Sequence, residues 1–166
     1  MEKDLQSTEA IKKLKSLVED IRFCMYTTYE NGKIESRPMT TLEVDEEGNA
    51  WFFTNKNTEL GRDTGSGENV TLIYSHPGDN TYLSVTGHAT IVEDEQKKEE
   101  LWSPLSKAWF PQGKEDPNLV ILKVTTQEAA YWDSPSSKMV VFVSLIKAAV
   151  TGQPSEQGEH GKLNLA

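Results

Sequence analysis

The chain has little that could carry chemistry unaided. It holds one cysteine, Cys24, so no internal disulfide framework is open to it. Cys24 lies between large apolar residues with nothing nearby to lower its pKa, and it reads as a buried thiol. The three histidines, His76, His88 and His160, are far apart, and none has a histidine or cysteine at ligand spacing, which argues against zinc. Positive charge is scarce: 17 Lys and Arg stand against 26 Asp and Glu, for a net charge of -9. So acidic a chain lacks the cationic field used by general nucleic-acid binders and by proteins that seek anionic membranes. No apolar run approaches the ~20 residues needed to span a bilayer. Met1-Glu2-Lys3-Asp4 lacks the basic start and apolar core of a signal peptide, so the cytoplasm is the expected compartment. No nucleophile elbow, phosphate loop or dinucleotide fingerprint occurs, and the glycine-rich run from Gly61 to Gly67 lacks the phosphate-loop lysine. With no nucleophile set beside a base, redox chemistry would need a cofactor.

What is present is a pattern of short strands. At 166 residues, with 36% hydrophobic and 26% charged, the chain is long enough for one domain with a substantial core. Residues 4 to 21 predict an amphipathic helix, with Ile11, Leu14, Val18 and Ile21 on one face and Asp4 or Ser7 as its cap. Phe23 to Thr28 predicts a first strand. Asn31-Gly32 is a type I′ hairpin signal, because both positions of that turn need positive φ. Lys33 to Val44 then returns antiparallel, with Pro38 marking an edge, a bulge or a break, since proline cannot donate to a ladder. Asp45 to Asn49 closes a second hairpin, and strands follow at Ala50 to Thr54 and Val70 to Tyr74. Pro77 to Asn80 is a turn. Thr81 to Val92 predicts a long strand in which Gly87 signals a bulge or barrel corner. The Glu93-Asp94-Glu95 cluster begins a helix that runs to Trp102, and the prolines between Ser103 and Pro117 forbid one continuous element. A strand from Leu119 to Val124, an excursion over Thr125 to Glu128 and a short strand at Ala130-Tyr131-Trp132 complete the β elements. Met139 to Val150 is expected to be helical. From Gly152 on, the Gly-, Pro- and Glu-rich composition predicts a mobile surface tail. Six or seven short antiparallel strands with peripheral helices suggest a small barrel.

Two stretches organise the functional reading: Ser36-Arg37-Pro38-Met39-Thr40 and Trp51-Phe52-Phe53-Thr54-Asn55. Strand alternation puts Arg37 and Met39 on one face and Pro38 and Thr40 on the other. The second stretch runs into Lys56-Asn57-Thr58, where hydroxyls, amides and free backbone N–H groups would suit a phosphate. A flat apolar ring with a phosphate tail is the expected ligand. Trp109 and Phe110 form an aromatic pair on a proline-rich loop, a common arrangement for a cover.

Together these residues resemble the pyridoxamine 5′-phosphate oxidase-like, FMN-binding split barrels, in their general-stress-protein branch. The marks are Ser36-Arg37-Pro38-Met39, Trp51 to Asn55, Leu101-Trp102-Ser103-Pro104, Trp109-Phe110-Pro111 with Gly113, Asp116-Pro117, and Tyr131-Trp132-Asp133. Each is weak alone; their order and spacing are strong, from about Ile11 to Gly152. The resemblance implies a mainly β fold, a six- to seven-stranded antiparallel split β-barrel with flanking helices. Residues 1–152 would form the FMN-binding domain and 153–166 the tail. It implies a homodimer with two FMN sites at the subunit interface, each built from both subunits. Arg37 would contact the phosphate; Pro38, Met39 and Thr40 would line the flavin; Phe53 and Thr54 would continue that wall. Thr58 would donate to the phosphate, with Asn55 and Lys56 in the same turn, and Trp109 and Phe110 would cover the ring. Trp132 would reach the ring from the second subunit, and Tyr82 falls where relatives carry a glutamine. Glu59 and Leu60 stand where relatives carry basic residues, which leaves the anion with fewer cations. The arginine and histidine set of the true oxidase is not evident in Asp133-Ser134-Pro135-Ser136-Ser137, so that activity is not implied. The expected function is a flavin-dependent oxidoreductase acting on a small molecule in a stress-related role. The alternatives are a non-catalytic flavin-binding storage or sensing protein and a split-barrel module binding deazaflavin or haem.

Overall fold

The computed structural model describes residues 5–58, 67–133 and 159–165. Its helix α1 (Ser7–Ile21) buries Ala10, Leu14, Leu17 and Val18. The buried stripe thus follows the i, i+4, i+7, i+8 pattern and leaves Ile11 and Ile21 half-buried, a shift from the face expected. Burial of each larger aliphatic side chain is worth about 1.5–3 kcal/mol, and this stripe fixes the helix on the sheet. Residues Leu5 and Gln6, expected to be helical, instead form a short strand β1 (Leu5–Gln6).

The main hairpin joins β2 (Phe23–Glu30) to β3 (Lys33–Thr40). Asn31 and Gly32 both take positive φ, 49° and 77°, as the turn demands. Among the described residues, strand β3 pairs only with β2. Pro38 therefore lies on an edge, where its missing N–H breaks no ladder. The expected single strand to Val44 is interrupted at Thr41 and Leu42. There the Thr41 N–H donates to the Arg22 carbonyl (2.8 Å), and the Leu42 N–H donates to the Trp51 carbonyl (2.9 Å). The chain so leaves one neighbour and joins another, continuing as β4 (Glu43–Val44) against β5 (Ala50–Asn55). This is where the sheet is split.

The remaining strands are β6 (Glu68–His76), β7 (Thr81–Val92), β8 (Leu119–Asp133) and β9 (Glu159–Asn164). The nine strands form one sheet in the order β1-β9-β8-β7-β6-β2-β3, with β5 pairing β8 and carrying β4. All pairings are antiparallel except the short β1–β9 contact. The fold is mainly β, an unclosed split barrel; the described residues add two short helical pieces besides α1: α2 (Glu95–Leu101), capped by the Asp94 carboxylate on the Lys97 N–H, and a 3₁₀ turn at Pro104–Ala108.

Two expectations are corrected. Thr125 to Glu128 is not an excursion, because β8 runs unbroken through it. The ladder absorbs the irregularity: Thr86 faces Glu128 but Gly87 faces Thr126, which leaves Gln127 as the extra residue of a bulge. Gly87 is required there, since a Cβ would lie 2.5 Å from the Thr125 carbonyl oxygen. The expected mobile tail is also corrected over its described part. Residues Glu159 to Asn164 pair with β8, and Leu163 is buried in the main core. The expected helix at Met139 to Val150 lies outside the described residues. The core is formed by Tyr26, Phe52, Leu72, Tyr74, Leu83, Val85, Leu122, Val124 and Tyr131, with α1 packed against it.

Candidate functional site

Arg37 and Met39 share a face on β3, opposite Tyr26 and Cys24 of β2. Met39 packs against the main core. Beneath it, the Thr41 and Tyr74 hydroxyls are hydrogen-bonded at 2.7 Å in the interior. Burial pushes the Cys24 thiol up to about 11, against weaker opposing bonds from Tyr74 and Thr41. Burial likewise raises the Tyr74 phenol well above its ordinary value. The pair is neutral and inert, as expected for Cys24. Arg37 is half-buried and, among the described residues, has no carboxylate partner. Lys13, Lys15, Lys97, Lys98 and Lys114 are paired with carboxylates, whereas Arg37, like Lys56, has no such pairing among the described residues.

Pro38 and Thr40 lie on the opposite, outer face. That face carries a run of exposed apolar side chains: Phe23, Met25, Tyr29 (71%), Ile34 (72%), Ile73, Tyr82 and Trp132 (49%). The register aligns them in rows. Pro38 faces Met25, Met25 faces Ile73, Ile73 faces Ser84, and Ser84 faces Ala130. One row along, Ser75 faces Tyr82, Tyr82 faces Trp132, and Trp132 faces His160. Pro38 and the Trp132 strand are thus four strand spacings apart, about 19 Å along the sheet. A ring lined by Pro38, Met39 and Thr40 could not also touch Trp132 of the same chain.

On β5, Thr54 is buried while Phe53 is half-buried on the other face, so these two do not line one continuous surface. Phe53 packs edge-on against Phe110 (6.2 Å between centroids) and tilted against Trp102 (6.0 Å). Phe110 is only 8% exposed and Trp109 is 71% exposed, so the expected pair is divided between packing and solvent. Trp51 next door is held by the Asp45 carboxylate through its indole N–H (2.8 Å) and flanked by Lys97 at 4.8 Å. Burial alone would raise the Asp45 carboxyl, but bonds from Asn49 and Trp51 outweigh it and hold it below its ordinary value.

The turn after β5 differs from expectation in one respect. Its backbone donors are already engaged: Lys56 N–H on the Asn118 carbonyl, Asn57 N–H on the Asn55 side chain, and Thr58 N–H on the Asn55 carbonyl. The Thr58 hydroxyl also donates to the Asn55 carbonyl, at 2.7 Å. Asn55 folds this turn onto itself, which leaves side chains rather than amides to face an anion. Lys56 is exposed and borders a cleft of about 480 Å³ whose rim carries Glu93, Asp94, Glu95, Glu115 and Asp116. A second cleft of about 380 Å³ lies on the outer face between Thr86, Ala130 and Lys162. Neither of these two clefts is lined by Arg37, Met39 or Thr58. Residues 59–66, including Glu59 and Leu60, lie outside the described part.

Sequence reasoning missed His160, because β9 was taken for tail. Its signal was the alternation in Glu159-His160-Gly161-Lys162-Leu163-Asn164-Leu165, with Leu163 buried and Leu165 half-buried. No group of three or more potential metal ligands occurs among the described residues.

The chain is similar to known proteins along most of its length. It is 28% identical over 159 residues to protein bli-3 of Neurospora crassa, covering 89% of this chain and 76% of that one. It is 30% identical over 105 residues to general stress protein 26 of Bacillus subtilis, covering 61% of this chain and 72% of the other. A solved general stress FMN/FAD binding protein of Xanthomonas citri superposes with a TM-score of 0.65 at 31% identity, over 77% of this chain and 90% of that one. A structure of general stress protein 26 from a Jannaschia species shares the fold, with a TM-score of 0.78 at 24% identity over 94% and 98% of the two chains. The profile of the family described as pyridoxamine 5′-phosphate oxidase like matches residues 9–156, and the chain belongs to that family.

Proposed function

We propose that the protein is a homodimeric flavoprotein that binds FMN at its subunit interface and acts as an oxidoreductase on a small molecule. The observation that carries this reading is the edge strand β3, which holds the half-buried Arg37, without a carboxylate partner among the described residues, on one face and borders an exposed apolar run on the other. A dianionic phosphate would satisfy that charge, and an apolar ring would cover part of that face. Arg37 binds the phosphate through its planar fork of donors, aided by the Thr58 hydroxyl once it turns from the Asn55 carbonyl. With the turn's amides engaged, Arg37 is the principal anchor. Met39 anchors the edge strand on the core from the inner face, and Pro38 and Thr40 bring the strand's outer face against the ring.

The rest of the outer face supplies the second half of the site. Phe23, Met25 and Ile73 pack against the partner subunit, which removes the exposed apolar surface and excludes water. The separation of about 19 Å along the sheet favours a role for Trp132 in the partner's site, where its indole would stack on the ring. Bound FMN supplies reversible electron transfer, which no side chain of this family member provides. The similarity to a general stress FMN/FAD binding protein supports a flavin as the ligand. The experiment is FMN titration of wild type beside Met25→Glu and Ile73→Glu, with size-exclusion chromatography. Wild type should be a dimer that binds one FMN per chain, and both variants should be folded monomers that bind none. Monomers that bind FMN as tightly as wild type would overturn the shared site.

A further inference from the structure

We propose that His160, delivered by the C-terminal strand β9, is a flavin-facing residue that places a protonatable hydrogen-bond donor beside Trp132. The inference rests on the flavin reading above and assigns the same site one more group. The register is direct: His160 is the cross-strand partner of Trp132, and Tyr82 is the partner of Trp132 on its other side. Directly opposed side chains lie on one face with Cβ atoms about 4.5–5.5 Å apart. Imidazole, indole and phenol therefore form one row on the outer face, and a ring stacked on Trp132 has an edge over His160. The strand is held firmly enough to matter. Leu163 is buried in the main core, and β9 is paired on both sides, with β8 and with β1.

The charged groups near His160 fall on two faces. On its own face lie Tyr82, Lys162 two residues along β9, and Glu128 farther down β8. On the other face Glu159 lies opposite Asp133, which is held by Lys13 of α1 and by the Thr81 hydroxyl. Strand β1 meets β9 only at Leu163 and Asn164 and sets no charge opposite His160. Among the described residues, Glu159 and Asp133 thus lie behind the sheet, and Glu128 shares the face of His160. Imidazole, unlike indole or phenol, is a side-chain type that can take up a proton near neutral pH. Its protonation would add a charged donor to an electron-rich ring edge and tighten FMN binding.

The test compares the FMN-loaded wild type with His160→Gln and His160→Asn across that pH range, reading flavin absorbance and affinity. His160→Gln should bind FMN about three- to tenfold more weakly at pH 5.5 and within twofold of wild type at pH 8.5. The pH-dependent shift of the flavin band should vanish in both variants. A yellow wild type whose spectrum and affinity follow pH identically in His160→Gln overturns this inference and leaves the flavin reading standing. A wild type that binds no flavin overturns both. The ligand-free protein gives an independent readout. Indole emission should fall on acidification in wild type, as imidazolium quenches Trp132, and the fall should be smaller in His160→Gln. Equal falls would show that the two rings are not neighbours.

Discussion

Replacing Arg37 with alanine should separate binding from folding. Arg37 stands on an edge strand across from Tyr26, whose hydroxyl donates to the Glu68 carboxylate at 3.1 Å. No described carboxylate is paired with the guanidinium, so its removal breaks no ion pair among the described residues and strands no buried charge. The stability cost should fall within about 0.5 kcal/mol, as for most surface substitutions. A charge-assisted hydrogen bond to phosphate contributes about 1.5–3 kcal/mol net, which is roughly 10- to 150-fold in affinity. Riboflavin lacks the phosphate, so its affinity should change by less than about threefold. The assay is titration of the ligand-free protein with FMN and with riboflavin, followed by quenching of flavin fluorescence, beside urea unfolding of both proteins. Arg37→Lys should lie between, since it keeps the charge but loses the fork. Equal losses for FMN and riboflavin would refute the assigned role. So would a large loss of stability, which would make Arg37 a structural residue.

Three further outcomes concern the scaffold. Gly87→Ala should destabilise by about 1–3 kcal/mol in urea unfolding, because its Cβ would meet the Thr125 carbonyl oxygen at 2.5 Å and a Val124 methyl at 2.9 Å; unchanged stability would mean the bulge can slip. Asp45→Ala should cost about 1–3 kcal/mol by stranding the Trp51 indole N–H and the Asn49 amides, and an unchanged unfolding midpoint would contradict that network. Stability should fall in alkali, since the unfolded Cys24 thiol ionises near 9.0 while the folded one holds its proton to about 11. The folded state binds more protons across that window, so roughly 2–3 kcal/mol is present below it and lost as pH rises through it. Tyr74 acts in the same direction, so Cys24→Ala should remove only part of the loss; an unaltered pH profile would refute the contribution.

Local chemistry made much of the fold legible. Asn31-Gly32 dictates its own turn, Pro38 can sit only where no ladder needs it, and Gly87 marks a place without room for a side chain. What failed depended on distant partners. Thr125 to Glu128 looks like a loop because it is polar, yet it is strand because β7 pairs with it and one bulge absorbs the mismatch. Glu159 to Asn164 has one buried apolar residue, Leu163, and is ordered by strands on both sides rather than by propensity. The alternation of Arg37 and Met39 against Pro38 and Thr40 was readable from strand period alone. The separation of Pro38 from Trp132 was not, because it requires the strand order. Phe110 was expected to cover the ring because its aromatic character shows in sequence; its packing on Phe53 does not.

The central claim is tested most directly by identifying what the native protein carries. Protein purified without added cofactor should be yellow, absorb near ~450 nm as flavins do, and release one FMN per chain by mass, two per dimer. Colourless protein that takes up no FMN when it is supplied would contradict the account.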